Sequence, residues 1–227
     1  MKTLRVQTGP FKERPYYTDK EIESICGDEL NRVGLFPTSP QPVRIDRFVE
    51  KRFGVVPSYE DLPEGILGFT KFGRNGVQAI VVSRQLSEDA SKVAERRLSA
   101  TLAHESGHGL LHMHLFALED GTGQKILCRP DGVQGAGGVG TTINYDGRWW
   151  EYQANRAIGA LLLPRTLAQQ ALEFLLEGRG ALGLKTLSSE RRETAALALV
   201  DTFDVNPVVA RIRLEDLFPP TGPQLAL

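Results

Sequence analysis

The chain has 227 residues, 41% hydrophobic and 24% charged, a globular composition that excludes a wholly disordered polymer. Its 27 Lys and Arg against 28 Asp and Glu leave a net charge of -1, so no basic excess draws it to nucleic acid or an anionic membrane. No apolar run approaches the roughly 20 residues of a membrane span, the N-terminus lacks the apolar core of a secretory signal, and two cysteines cannot build a disulfide framework; the expectation is a cytoplasmic protein.

Residues 1–17 mix Pro, Gly and Lys without an apolar period and read as a loose tail. Thr18-Asp19-Lys20-Glu21 is a capping-box pattern, and Ile22, Ile25, Cys26, Leu30 and Val33 continue it at helical spacing up to Gly34. Cys26 falls on the apolar stripe and is read as core. After a proline-marked connector, a short helix is expected from Ile45 to Phe53, stopped by Gly54. Leu67–Phe72 and Val77–Val82 are strands around Gly73-Arg74-Asn75-Gly76, a hairpin signal because Asn-Gly accepts positive φ. A long helix should run from about Glu88 to Leu115, with Val93, Leu98, Thr101 and Leu102 turned inward. Leu118–Arg148 carries eight of the 23 glycines, which disfavours regular structure, and is read as a loop. Helices follow at Trp149–Leu163, Thr166–Glu177, Ser188–Phe203 and Val208–Leu217.

All four histidines lie between positions 104 and 114. His104-Glu105-Ser106-Gly107-His108 is H-E-x-x-H on a predicted helix. Residues four apart are separated by one turn and about 40° around the axis, so both imidazoles can reach one ion. Glu105, about 100° away from His104, is displaced from the ligand positions and can take a proton from an activated water. Catalytic zinc sites normally have a third protein ligand. His112 lies about 12 Å along a straight helix from His104, too far to share its ion. His114 would need the chain to turn back at a glycine, and Leu110-Leu111 stand there instead. Glu119 and Cys128 are further candidates, although Cys128 reads more simply as a loop cysteine. Glu151 opens a helix on which Ala154 allows close approach and Asn155 shares its face, placed to hydrogen-bond a ligand. On helix chemistry alone, Glu151 is equally a ligand or a first-turn carboxylate favoured by the helix dipole. Tyr145, Arg148 and Tyr152 are candidates for an oxyanion donor by proximity to Glu151 alone.

His104-Glu105-x-x-His108-x-Leu110-Leu111-His112, followed by Glu151-x-x-Ala154-Asn155 and the Leu161-Leu162-Leu163-Pro164 ending, resembles the ImmA/IrrE metallopeptidase family. The resemblance covers roughly residues 18–217, with its specific motifs in about thirty positions. It implies one zinc ion held by His104, His108 and Glu151, with Glu105 as general base, and cleavage of a partner protein such as a helix-turn-helix repressor. The sequence departs from the family in its longer glycine-rich spacer and in Arg156, where an aromatic residue is common. The expected fold is α+β: a small antiparallel-edged sheet packed on the H-E-x-x-H helix, with a helical C-terminal extension. Residues 1–177 are read as the metallopeptidase domain and 178–227 as a helix-turn-helix-like segment. That segment has six basic and six acidic residues from position 179 onward, so it is read as a packing or docking element rather than a DNA reader. The alternative function is a non-proteolytic regulator that binds a protein or DNA and uses zinc as a structural staple.

Overall fold

A computed structural model of the protein describes residues 2–5, 13–73, 75–117, 125–130, 149–179 and 184–219. Within the N-terminal segment read as a loose tail, the described residues form two strands: β1 (Lys2–Arg5) and β2 (Glu13–Tyr16) pair antiparallel, and Pro15 is buried. Helix α1 (Asp19–Arg32) starts with the expected capping box, both reciprocal bonds between Thr18 and Glu21 being formed. Ile22, Cys26 and Leu30 are its buried stripe, and α2 (Ile45–Phe53) ends at Gly54 in the left-handed region at φ 71.

Strands β3 (Ser58–Glu60), β4 (Ile66–Gly73), β5 (Gly76–Ser83) and β6 (Lys125–Pro130) form one sheet in the order β3-β5-β4-β6. The fold is α+β, as the sequence indicates. Only one edge is antiparallel: β6 pairs antiparallel with β4, whereas β3 runs parallel to β5. Cys128 therefore belongs to a strand, opposite Phe69, and not to a continuous loop. The glycine run at 135–140, with Glu119, Tyr145 and Arg148, lies outside the described residues. Along β4, Gly68, Thr70 and Phe72 alternate inward.

The long helix expected after the hairpin is three. After α3 (Arg84–Glu88), Asp89 accepts from the Ser91 amide at 2.8 Å and Ser91 accepts from Ala94, which caps α4 (Lys92–Leu111). The inward face of α4 accordingly starts at Ala94, and Val93 is exposed. The helix stops at His112, and α5 (Met113–Ala117) is a separate turn. Helix α6 (Trp149–Leu162) crosses α4, with Gly107 at the crossing. A Cβ on Gly107 would lie 2.8 Å from Ala157 Cβ and 3.1 Å from the Ala154 backbone, so the helices approach this closely only because residue 107 is glycine.

Beyond Pro164, α7 (Arg165–Ala171) is shorter than expected because the chain passes through a 3₁₀ turn into the hairpin of β7 (Glu177–Arg179) and β8 (Leu184–Thr186). Helices α8 (Arg192–Phe203) and α9 (Pro207–Leu217) follow. Leu199, Val200, Phe203, Val209, Ala210 and Leu214 join the core that holds Ile22, Phe48, Ile80 and Leu161. Arg213 of α9 is buried, donates to the Leu163 carbonyl at 2.9 Å and pairs with Glu23 of α1. Lys92 and Arg96 of α4 hold Asp204 in the α8–α9 turn.

Candidate metal centre

His104 and His108 lie one turn apart on the face of α4 that meets α6, and Glu151 sits in the first turn of α6 opposite them. Their Nε2 atoms are 3.1 Å apart. Glu151 places Oε2 3.1 Å from His104 Nε2 and Oε1 3.7 Å from His108 Nε2. The two histidines are at most 1% exposed and Glu151 is 9% exposed. These three side chains form a buried group, with donor atoms within 4.8 Å of one another, that could hold a metal ion. Glu151, open between two roles on helix chemistry, faces the histidines. Burial pushes its carboxyl up, but the two imidazoles outweigh that effect and hold it well below the usual carboxylate range.

Behind the donor atoms, each imidazole is anchored through its other nitrogen. His104 Nδ1 donates to Asn155 Oδ1 at 3.0 Å, the contact that a residue on the Glu151 face was expected to make. On the other side, the ring nitrogens His108 Nδ1 and His112 Nδ1 are 2.9 Å apart, and His112 Nε2 lies 2.9 Å from Gln153 Oε1. Gln153 Nε2 donates to the Pro15 carbonyl at 2.9 Å. Burial, and then the neighbouring His108, push His112 well below the ordinary histidine range. Trp149 closes over the His112 ring edge-on, with centroids 5.5 Å apart. His112 thus backs His108 and does not join the group.

Glu105, beside His104 on α4, is held from the sheet. Thr70 Oγ1 donates to Glu105 Oε2 at 2.7 Å and lies 3.1 Å from the Glu105 carbonyl. Gly68 lets β4 and α4 pack this closely: a Cβ there would be 2.7 Å from Thr101 Cγ2 and 2.9 Å from the Val81 carbonyl. Thr70 and Gln153 were missed in the sequence. The signal for Thr70 was a hydroxyl among the inward positions of β4; for Gln153, a polar residue on the buried side of α6. Tyr152 accepts from Arg156 at 3.1 Å and is engaged there.

Among the described residues no helix is long and apolar enough to cross a membrane. Set against known protein families, curated proteins and solved structures, the chain matches none.

Proposed function

We propose that the protein is an intracellular zinc-dependent endopeptidase that cleaves a regulatory partner protein, with His104, His108 and Glu151 as zinc ligands and Glu105 as general base. The observation that carries the reading is the convergence of two imidazole nitrogens and a carboxylate beside a separately oriented glutamate. Nitrogen and oxygen donors of this kind suit zinc. Ligands about 2.0–2.1 Å from a tetrahedral ion stand about 3.3 Å from one another, and the separations here, 3.1, 3.1 and 3.7 Å, bracket that value. When bound, the ion would lower the pKa of water toward about 7 and polarise a carbonyl. Glu105 takes the water's proton on its carboxylate and delivers it to the leaving amine. Thr70 orients that carboxylate by donating to Oε2. Asn155 keeps the His104 proton on Nδ1, so that Nε2 serves as the ligand atom. The resemblance of these motifs to the ImmA/IrrE metallopeptidases supports a helix-turn-helix repressor as the substrate class.

Burial of the group favours a second reading, a zinc staple in a regulator without turnover. Against it, structural zinc sites close with four protein donors, and three converge among the described residues. Glu105→Gln separates the two. With zinc content unchanged, it should lower cleavage of a fluorogenic peptide library by about 10²–10⁴-fold, the usual contribution of a general base. Undiminished cleavage overturns the peptidase mechanism. A zinc-loaded wild type that cuts nothing, in a protein whose fold fails on His104→Ala, establishes the staple.

A further inference from the structure

We propose that His112 and Gln153 are positioning residues that hold His108 in the form able to bind a metal and tie that ligand to the N-terminal hairpin. The inference rests on the metal-site reading and extends it to residues behind the ligands.

The argument begins at the far end of the relay, where the chemistry allows one answer. The Pro15 carbonyl can only accept, so the atom of Gln153 facing it at 2.9 Å is the amide nitrogen. Gln153 Oε1 consequently faces His112 Nε2, also at 2.9 Å, and that nitrogen donates. Between the two Nδ1 atoms at 2.9 Å there is room for one proton. If His112 carries it, His108 must accept at Nδ1, and a neutral His108 then bears its own proton on Nε2, aimed at His104 and Glu151. If His108 carries it, Nε2 keeps a lone pair aimed at the same place. Only the second arrangement accommodates a cation, and His112, giving its Nε2 proton to the Gln153 oxygen, offers Nδ1 as the acceptor that selects it. Nothing in the relay faces water: His112 is fully buried and Gln153 is 3% exposed.

The relay ends on β2, and neighbouring contacts hold that strand in place. Arg14 lies 5.9 Å over the Trp149 ring, which in turn covers His112, and Tyr17 donates to the Leu111 carbonyl at 3.4 Å. A docked hairpin thus orients the Gln153 amide, the amide orients His112, and His112 sets the proton on His108. By linkage, zinc binding should in turn steady the hairpin.

The test uses the full chain and zinc, with affinity read by chelator competition. Gln153→Met removes both hydrogen bonds at nearly constant volume and should weaken zinc binding ten- to a hundredfold, as loss of a partner behind a metal ligand usually does. Gln153→Glu keeps an acceptor for His112 and should restore affinity to within about threefold of wild type. A structural role alone would not discriminate the two. Long-range ¹H–¹⁵N imidazole spectra of the zinc-loaded wild type should show protons on His108 Nδ1 and His112 Nε2, and zinc should slow amide exchange at Arg14 and Tyr16. Wild-type affinity in Gln153→Met, or a proton on His112 Nδ1, overturns the relay while the metal site stands. A wild type that binds no zinc overturns both.

Discussion

At the junction of α1, α6 and α9, the buried guanidinium of Arg213 meets the Glu23 carboxylate and the Leu163 carbonyl, so a cation and its acceptors arrive together in one chain. At the α4–α6 crossing the balance is different. Two imidazole nitrogens and a carboxylate converge within 3.1–3.7 Å, with Asn155 behind His104 and His112 behind His108. Burying acceptors beside one another without a positive charge is costly. The first junction supplies its own cation. The second could hold one taken from outside.

Substitutions at the two places should therefore fail in different ways. His108→Ala should lower zinc affinity by a few hundredfold, if the about 10–16 kcal/mol of a zinc site is divided among four ligands; chelator competition checks it, and the metal-free fold should change little. Arg213→Met should show the reverse. It strands Glu23 and the Leu163 carbonyl, costs on the order of 3 kcal/mol in urea unfolding, and leaves zinc affinity within about twofold. Gly107→Ala sharpens the contrast because it stands between the two effects: a methyl 2.8 Å from Ala157 Cβ forces α6 away, destabilising by about 1–3 kcal/mol and weakening zinc binding as Glu151 recedes.

The smallest effect should come at the tie between α4 and the α8–α9 turn. Burial pushes the Asp204 carboxyl up, but hydrogen bonds and charge from Lys92 and Arg96 outweigh it and lower the pKa from its ordinary 3.8. A depressed folded pKa means the contribution is fully present above the unfolded value and is lost as pH falls below it. Urea unfolding between pH 5 and pH 2.5 should show a shallower acid loss in Asp204→Asn than in wild type. Asparagine keeps the left-handed backbone that residue 204 adopts at φ 53.

Much of the scaffold was legible because its signals are local. The Thr18–Glu21 box, Gly54, and the hairpin that joins β4 to β5 act over four residues or fewer, and each stands where the pattern put it. The α4 boundaries were misread because Asp89 and Ser91 form a cap that interrupts an otherwise helical run, and Val93 was placed inside by periodicity counted across that break. The tail reading failed at β1 and β2 because a four-residue strand has no period long enough to register, and its burial comes from α6 rather than from its own sequence.

By itself the sequence determined the pairing of His104 with His108, since four residues of α-helix leave two side chains on one face wherever the helix goes. It also set Glu105 off that face. What only the tertiary structure decided is everything that reaches across elements: that Glu151 faces the histidines, that Thr70 holds Glu105, and that His108 is backed by His112, Gln153 and Pro15. Helix geometry fixes angles within one rod, whereas the distance between two rods depends on small residues such as Gly107, Ala154 and Ala157 meeting at the crossing, a coincidence no single segment encodes.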